Sequence, residues 1–160
     1  MYDFNADPGQ SKPEFYRDLM TAADALTAGE PDGVANMANV AALLWQLVPE
    51  LNWAGFYRSI SRELVLGPFC GKPACIRIPL GQGVCGAAAA ERATQLVADV
   101  NAFAGHIACD AASRSELVVP VLRDHAVISV IDLDSPFPGR FDADDRSGIE
   151  ALAALVAARI

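Results

Sequence analysis

The stretch ELVVPVLRDHAVISVIDLD, residues 116–134, decides the fold. Two runs rich in β-branched residues, Glu116 to Leu122 and Ala126 to Asp134, flank Arg123-Asp124-His125, and that pattern reads as two strands joined by a tight turn. Strand periodicity puts Asp132 and Asp134 on the face of Ile128 and Val130, and Glu116 on the face of Val118 and Pro120. Upstream, Asn52 to Arg58 and Glu63 to Gly67 form a second hairpin that turns at Ser59-Ile60-Ser61-Arg62. Ala74 to Pro79 and Thr94 to Val97 supply shorter strands. Helical spacing appears on either side of this β-rich middle. Ser11 and Glu14 make a capping box before Phe15, Leu19, Ala22 and Leu26. A second helix starts at Asp32, with Val34, Met37, Ala41, Leu44 and Val48 on one face, and stops before Pro49. A last helix begins near Asp142 and turns Ile149, Leu152, Leu155 and Val156 inward. The resulting expectation is an α+β domain, a central mostly antiparallel sheet with helices packed mainly on one side. Residues 1–10 are expected to be a disordered arm, and residues 11–160 a single domain.

Composition narrows the function. The chain has 160 residues, 52% of them hydrophobic and 20% charged, with a formal net charge of −8. Such a chain buries a core, and its acidity disfavours nucleic acid and anionic membranes as partners. Lys12 and Lys72 are the only lysines. No run reaches the ~18–20 apolar residues of a membrane span, and the acidic start lacks the marks of a secretory signal. A cytoplasmic protein is therefore expected. In a reducing compartment the cysteines at 70, 75, 85 and 109 are inert core, metal ligands or redox-active groups.

Several residues support two readings each. Trp53 and Tyr57 share one strand face, as core aromatics or as a pocket wall. Glu116, Asp132 and Asp134 are solvated strand ends, or three carboxylates converging on one pocket. In the second case desolvation and mutual repulsion raise at least one pKa, and the cluster suits a substrate ammonium. For zinc, Cys70-x4-Cys75 stands alone and His106-x2-Cys109 is the only other near match, so no metal site is assigned. No local signature supports a papain-like Cys/His nucleophile. Buried filler and a thiol redox pair remain for the cysteines. Residues 81–86, GQGVCG, lack the spacing and the Lys-Ser/Thr of a phosphate cradle. They read as a tight turn into a small-residue helix, Ala87 to Glu91. Val100 to Ser115 is long, polar and irregular, as functional loops often are.

Taken together, Gly67-Pro68-Phe69-Cys70-Gly71-Lys72-Pro73-Ala74-Cys75, Gly83-Val84-Cys85-Gly86, Gly105-His106-Ile107-Ala108-Cys109-Asp110, Ser115 to Pro120 and Ile131 to Ser135 closely resemble the free methionine-(R)-sulfoxide reductases. These are stand-alone GAF-domain enzymes, and the match runs from about Asn39 to the last helix. The resemblance implies a GAF fold and reduction of free L-methionine (R)-sulfoxide by thiol chemistry. Cys109 then corresponds to the catalytic cysteine, Cys75 to the resolving cysteine and Cys85 to an auxiliary one. Trp53, Tyr57, Glu116, Asp132 and Asp134 form the substrate pocket, with Glu116 or Asp134 as the protonated acid. No bound cofactor is implied. Thioredoxin, with NADPH and thioredoxin reductase, is the implied electron donor, and a homodimer through the N-terminal helices the implied assembly. Cys70 departs from the family pattern and offers itself as an extra disulfide partner, carried by Gly71-Lys72-Pro73. Asp110 beside Cys109 disfavours the thiolate, with Arg114 as compensation. The alternative is a GAF-type small-molecule sensor without turnover, although 160 residues leave little room for an output domain.

Overall fold

The computed structural model describes residues 9–105 and 111–160. Residues 1–8 of the expected arm, and Cys109 with His106 and Asp110, lie outside them. Helices α1 (Lys12–Thr27) and α2 (Gly33–Leu47) precede strands β1 (Trp53–Ile60), β2 (Glu63–Gly71) and β3 (Arg77–Pro79). Helix α3 (Gly83–Glu91), β4 (Gln95–Val97) and a 3-10 turn at Val100–Ala102 follow, then β5 (Ser115–Arg123), β6 (Ala126–Ser135) and α4 (Ala143–Val156). The six strands form one sheet in the order β3-β2-β1-β6-β5-β4, and every neighbouring pair is antiparallel. Among the described residues no helix is long and apolar enough to cross a membrane.

Alternation along the three central strands builds two different faces. Ala54, Phe56, Leu117, Val119, Ile131 and Leu133 pack under α1, α2 and α4, around Leu19, Val40, Leu44, Ile149 and Leu152. Trp53, Tyr57, Val118 and Val130 turn the other way and meet Val84, Cys85 and Ala88 of α3. Three helices therefore cover one face and α3 the other, as the sequence leads one to expect.

Local details depart from the sequence reading. The first hairpin turns on Ser61 and Arg62 alone, both with positive φ (52° and 68°), so β1 continues to Ile60. The second turns on Asp124 and His125 (φ 50° and 62°). Both are two-residue turns whose left-handed backbone suits the twist of the flanking strands. Strand β2 runs on to Gly71 and crosses a bulge opposite Phe56, where Pro68 has no N–H to offer. A second bulge lies in β6, because Leu122 faces Val127 while Val121 faces Ser129. The extra residue is Ile128, which packs with the helix-side core rather than sharing the face of Asp132. Val34 is 51% exposed at the start of α2, and Val40 and Leu43 occupy the core face instead. Helix α3 begins at Gly83 rather than Ala87, which places Cys85 in its first turn.

Helices α1 and α4 are locked together around a buried acid. Asp145 accepts hydrogen bonds from Tyr16 OH (2.8 Å) and Arg140 (3.2 Å), and pairs with Lys12 at 2.6 Å. Asp142 and Asp145 form a capping box for α4, and the Lys12 ammonium hydrogen-bonded to Asp142 pulls that carboxyl down to about 2. The Tyr16 ring lies directly on Gly148, where a methyl group would stand 2.1 Å from Tyr16 Cγ. Gly148→Ala must push the helices apart. Overpacking costs about 1–3 kcal/mol, and at roughly 2–4 °C per kcal/mol for a domain of this size Tm should fall by about 2–12 °C in a thermal melt. An unchanged Tm would show that the α1–α4 contact is loose.

Candidate active site

The central ladder dictates the site row by row. Trp53 faces Asp134, and Asp134 faces Glu116. In the next row Gly55 faces Asp132, and Asp132 faces Val118. Tyr57 and Val130 make the row beyond. All these residues alternate onto the α3 face, so three carboxylates from two adjacent strands meet two aromatic rings from a third. They line a cleft of about 530 Å³, part of it open to solvent. Its remaining walls come from Lys72, Pro73 and Ala74 after β2, Ile78 of β3, Gly83, Val84 and Cys85 of α3, and Ser113 before β5.

The aromatic wall is a three-ring stack. Trp53 lies between Tyr57 (centroids 5.8 Å apart, planes at 23°) and Phe69 (5.2 Å, 13°). Phe69 fits because Gly55 stands opposite it: any Cβ at Gly55 would approach Phe69 Cβ to 2.4 Å. Trp53 Nε1 donates to Lys72 O at 3.2 Å and so ties the stack to the segment that leads into Cys75. Asn52 Nδ2 donates to Ser113 Oγ at 3.0 Å and anchors the opposite rim.

The carboxylates are not solvated strand ends. Glu116 is 6% exposed and Asp132 5%, while Asp134 is half-buried. Burial, then the charges of Asp132 and Asp134, push the Glu116 pKa well above the usual carboxylate range. Burial raises Asp132 as well. The two are close enough to titrate as a pair, which retains a proton into the neutral range. The Cys85 thiol lies 3.9 Å from Glu116 Oε1, and burial beside these acids pushes its pKa far up. Cys85 is thus a protonated thiol at neutral pH. Tyr57 is raised for the same reasons, burial first and Asp132 second.

The structure brings Trp53, Tyr57, Cys85, Glu116, Asp132 and Asp134 into one pocket. Cys75 follows the pocket-lining Ala74 and is disulfide-bonded, whereas Cys70 and Cys85 are free thiols. The fourth cysteine, Cys109, falls outside the described residues. Cys70 does not ride on a flexible segment. It sits within β2 opposite Ala54, whose side chain belongs to the helix-side core, so Cys70 faces away from the cleft. Sequence reasoning missed Phe69, Lys72, Ser113 and Asn52. Gly55, between Trp53 and Tyr57 on one strand face, was the available signal for Phe69. The others act through rim geometry that no local pattern encodes.

Comparison with known proteins accords with this arrangement. The GAF domain family matches residues 35–160. The free methionine-R-sulfoxide reductase of Escherichia coli is 50% identical over 144 residues, covering 90% of this chain and 87% of that protein. The free methionine-R-sulfoxide reductase of Saccharomyces cerevisiae is 41% identical over 160 residues, covering 95% and 89%. The crystal structure of free methionine-R-sulfoxide reductase from Neisseria meningitidis in complex with its substrate is 42% identical and superposes with a TM-score of 0.92, covering 99% of this chain and 94% of that one. A GAF domain with this pocket and these relatives has a definite place: the chain belongs to the free methionine-(R)-sulfoxide reductase family.

Proposed function

We propose that the protein reduces free L-methionine (R)-sulfoxide to L-methionine with its own cysteine thiols, and that thioredoxin returns the electrons. The observation that carries this reading is the meeting of Glu116, Asp132 and Asp134 with Trp53 and Tyr57 in one cleft beside disulfide-bonded Cys75. Carboxylates buried this closely call for a cation, and the α-ammonium of a free amino acid supplies one. A peptide-bound residue carries no charge there, so it is rejected. The S-methyl end packs against Trp53.

The chemistry then needs a nucleophile and an acid. The Cys109 thiolate attacks the sulfoxide sulfur while protonated Glu116, or Asp134, hydrogen-bonds the oxygen and makes that sulfur electrophilic. The S–O bond breaks, the oxygen passes to Cys109 as a sulfenic acid, and methionine leaves with its sulfur reduced by two electrons. The Cys75 thiol attacks the sulfenic sulfur, expels water and forms the Cys75–Cys109 disulfide. Thioredoxin reduces it by thiol–disulfide exchange, itself recharged by NADPH through thioredoxin reductase. Cys85, protonated beside Glu116, shapes and hydrogen-bonds the acid rather than attacking substrate. No resident metal or cofactor enters the cycle.

Following NADPH consumption with thioredoxin and its reductase should show steady turnover of the R epimer. Almost none is expected with the S epimer or with peptide-bound methionine sulfoxide. Ligand binding without turnover would make the cleft a sensor's pocket instead.

Cys109→Ser should release no methionine even in a single turnover, since a hydroxyl is a far weaker nucleophile toward sulfur. Cys75→Ser should give one fast turnover and then stall with a trappable sulfenic acid. Normal cycling of Cys75→Ser would move the resolving role to another thiol.

The raised Glu116 pKa fixes the sign of the pH dependence. Below it the carboxyl is neutral and donates; above it the group is an anion and repels the sulfoxide oxygen. Single-turnover methionine release should therefore decline as pH rises through that pKa, although thiolate becomes more abundant. Folding stability shares the sign, because the native state holds a proton that the unfolded chain releases at ordinary carboxyl pH. Glu116→Gln should reduce the rate about 100-fold or more and flatten this limb. Wild-type kinetics in Glu116→Gln would remove the acid from the mechanism.

A further inference from the structure

The floor of the cleft also has the donor set of a metal site. One ligand atom each from Cys85, Glu116 and Asp132 lie within 4.8 Å of one another. They come from three separate elements, α3, β5 and β6, and each residue is more than nine-tenths buried. Backbone structure fixes their spacing. Asp132 is held opposite Val118 in the ladder, and the turn into α3 is closed by Gly81 N donating to Gly86 O at 2.8 Å. Acidic clusters alone attract any cation. The observation that points to a ligand is Asp132 Oδ1, a buried carboxylate oxygen on the cleft wall with no hydrogen-bond partner among the described residues.

The geometry points to a site for a thiophilic divalent cation, Zn²⁺ in chemical class, ligated by Cys85 Sγ, Glu116 and Asp132, which competes with the amino acid for the cleft. Zinc bonds of ~2.3 Å to sulfur and ~2.0–2.2 Å to oxygen at tetrahedral angles set an S···O separation of about 3.6 Å. Cys85 Sγ and Glu116 Oε1 stand 3.9 Å apart, so closing on the metal takes only a small inward shift. The thiolate donor excludes Mg²⁺ and Ca²⁺, which demand oxygen ligands alone. Three protein ligands leave a fourth position open toward the cleft, as in sites that bind water or substrate. A divalent ion answers the field of the three carboxylates with two charges where an ammonium brings one. Competition follows because both would take the oxygens of Asp132. That competition rests on the proposed amino-acid reading, while the metal site does not.

Cobalt(II) is the probe, because thiolate ligation gives it a near-ultraviolet charge-transfer band. The protein is Cys70→Ser with its disulfide formed, thiol titration verifying Cys85 as the one free thiol. One equivalent of Co²⁺ should bind with the thiolate band, and excess Zn²⁺ should displace it, because zinc favours tetrahedral sites with a thiolate donor. A second substitution, Cys85→Ser, should abolish the band. Asp132→Asn, which keeps the side-chain shape, should weaken cobalt binding tenfold or more. Methionine at ten times its own Kd should raise the apparent cobalt Kd about elevenfold, with glycine correcting for chelation in solution. Cobalt binding without a thiolate band, or indifferent to both Cys85→Ser and Asp132→Asn, would overturn the site. A band untouched by saturating methionine would overturn the competition. Cobalt bound as described by a protein that never turns over sulfoxide would sink the proposed activity and uphold the metal site.

Discussion

Everything in the cleft depends on the register of β1, β6 and β5. Leu117, Ile131 and Leu133 are fully packed under the helices, and each is next in sequence to Glu116, Asp132 or Asp134. A slip of one position would drive Glu116, Asp132 and Asp134 into that core and expose the apolar set. The helix-side core therefore does more than stabilise the domain. It selects the single register in which three carboxylates share a face with Trp53 and Tyr57. The bulge at Ile128 preserves this arrangement, because it absorbs one residue near the hairpin end and leaves the ladder from Ser129 to Ser135 continuous.

Holding acids there has an electrostatic consequence that spreads to every titratable neighbour. Two like charges 4.8 Å apart, the outer limit for Glu116 and Asp132, repel by roughly 3.5 kcal/mol at an effective dielectric of ~20. Burial raises both Glu116 and Asp132, the charges of Asp132 and Asp134 raise Glu116 further, and the pair relieves the repulsion by retaining a proton. Tyr57 and Cys85, desolvated beside the same acids, also stay protonated. An empty cleft is thus a proton reservoir, and a bound cation can substitute for the proton. In the proposed function, recognition of a charged amino end and supply of an acidic proton are two uses of this one constraint.

The sequence made much of this legible because its strongest signals are periodic. The hairpin of residues 116–134, the capping box at Ser11 and Glu14, and the shared faces of Trp53 with Tyr57 and of Asp132 with Asp134 are all local patterns, and all hold. The features that were not legible depend on nonlocal fit. Ile128 changes face through a bulge that no residue type announces. Val34 looks apolar and periodic yet lies on the exposed first turn of α2. Phe69 joins the ring stack only because Gly55 in another strand vacates the space. Asp145, acidic in a helix's first turn, reads as a simple cap, but Tyr16 and Lys12 reach it across 129 and 133 residues of sequence. Whether the strand acids were solvent-facing or buried was equally undecidable from alternation, which assigns faces without saying what covers them.

The cysteines show the same logic at the level of chemistry. Four thiols within forty residues invite any pairing, yet the sheet sorts those that are described. Cys70, paired in register with Ala54, is turned to the helix side and away from the cleft. Cys85, in the first turn of α3, is buried against the acids and held as a thiol, unsuited to nucleophilic attack. Among the described cysteines, Cys75 sits after β2 on the segment that Trp53 holds through Lys72 O, and it is the one that is disulfide-bonded. The indole that packs the pocket wall therefore also positions the chain entering the disulfide-bonded cysteine. A change in how Trp53 is packed must be felt at Cys75 not through a distant conformational relay but through one hydrogen bond and the short chain from Lys72 to Cys75. Reactivity in this domain is set by which side of the sheet a thiol occupies and by what it is tied to there, more than by its spacing in the sequence.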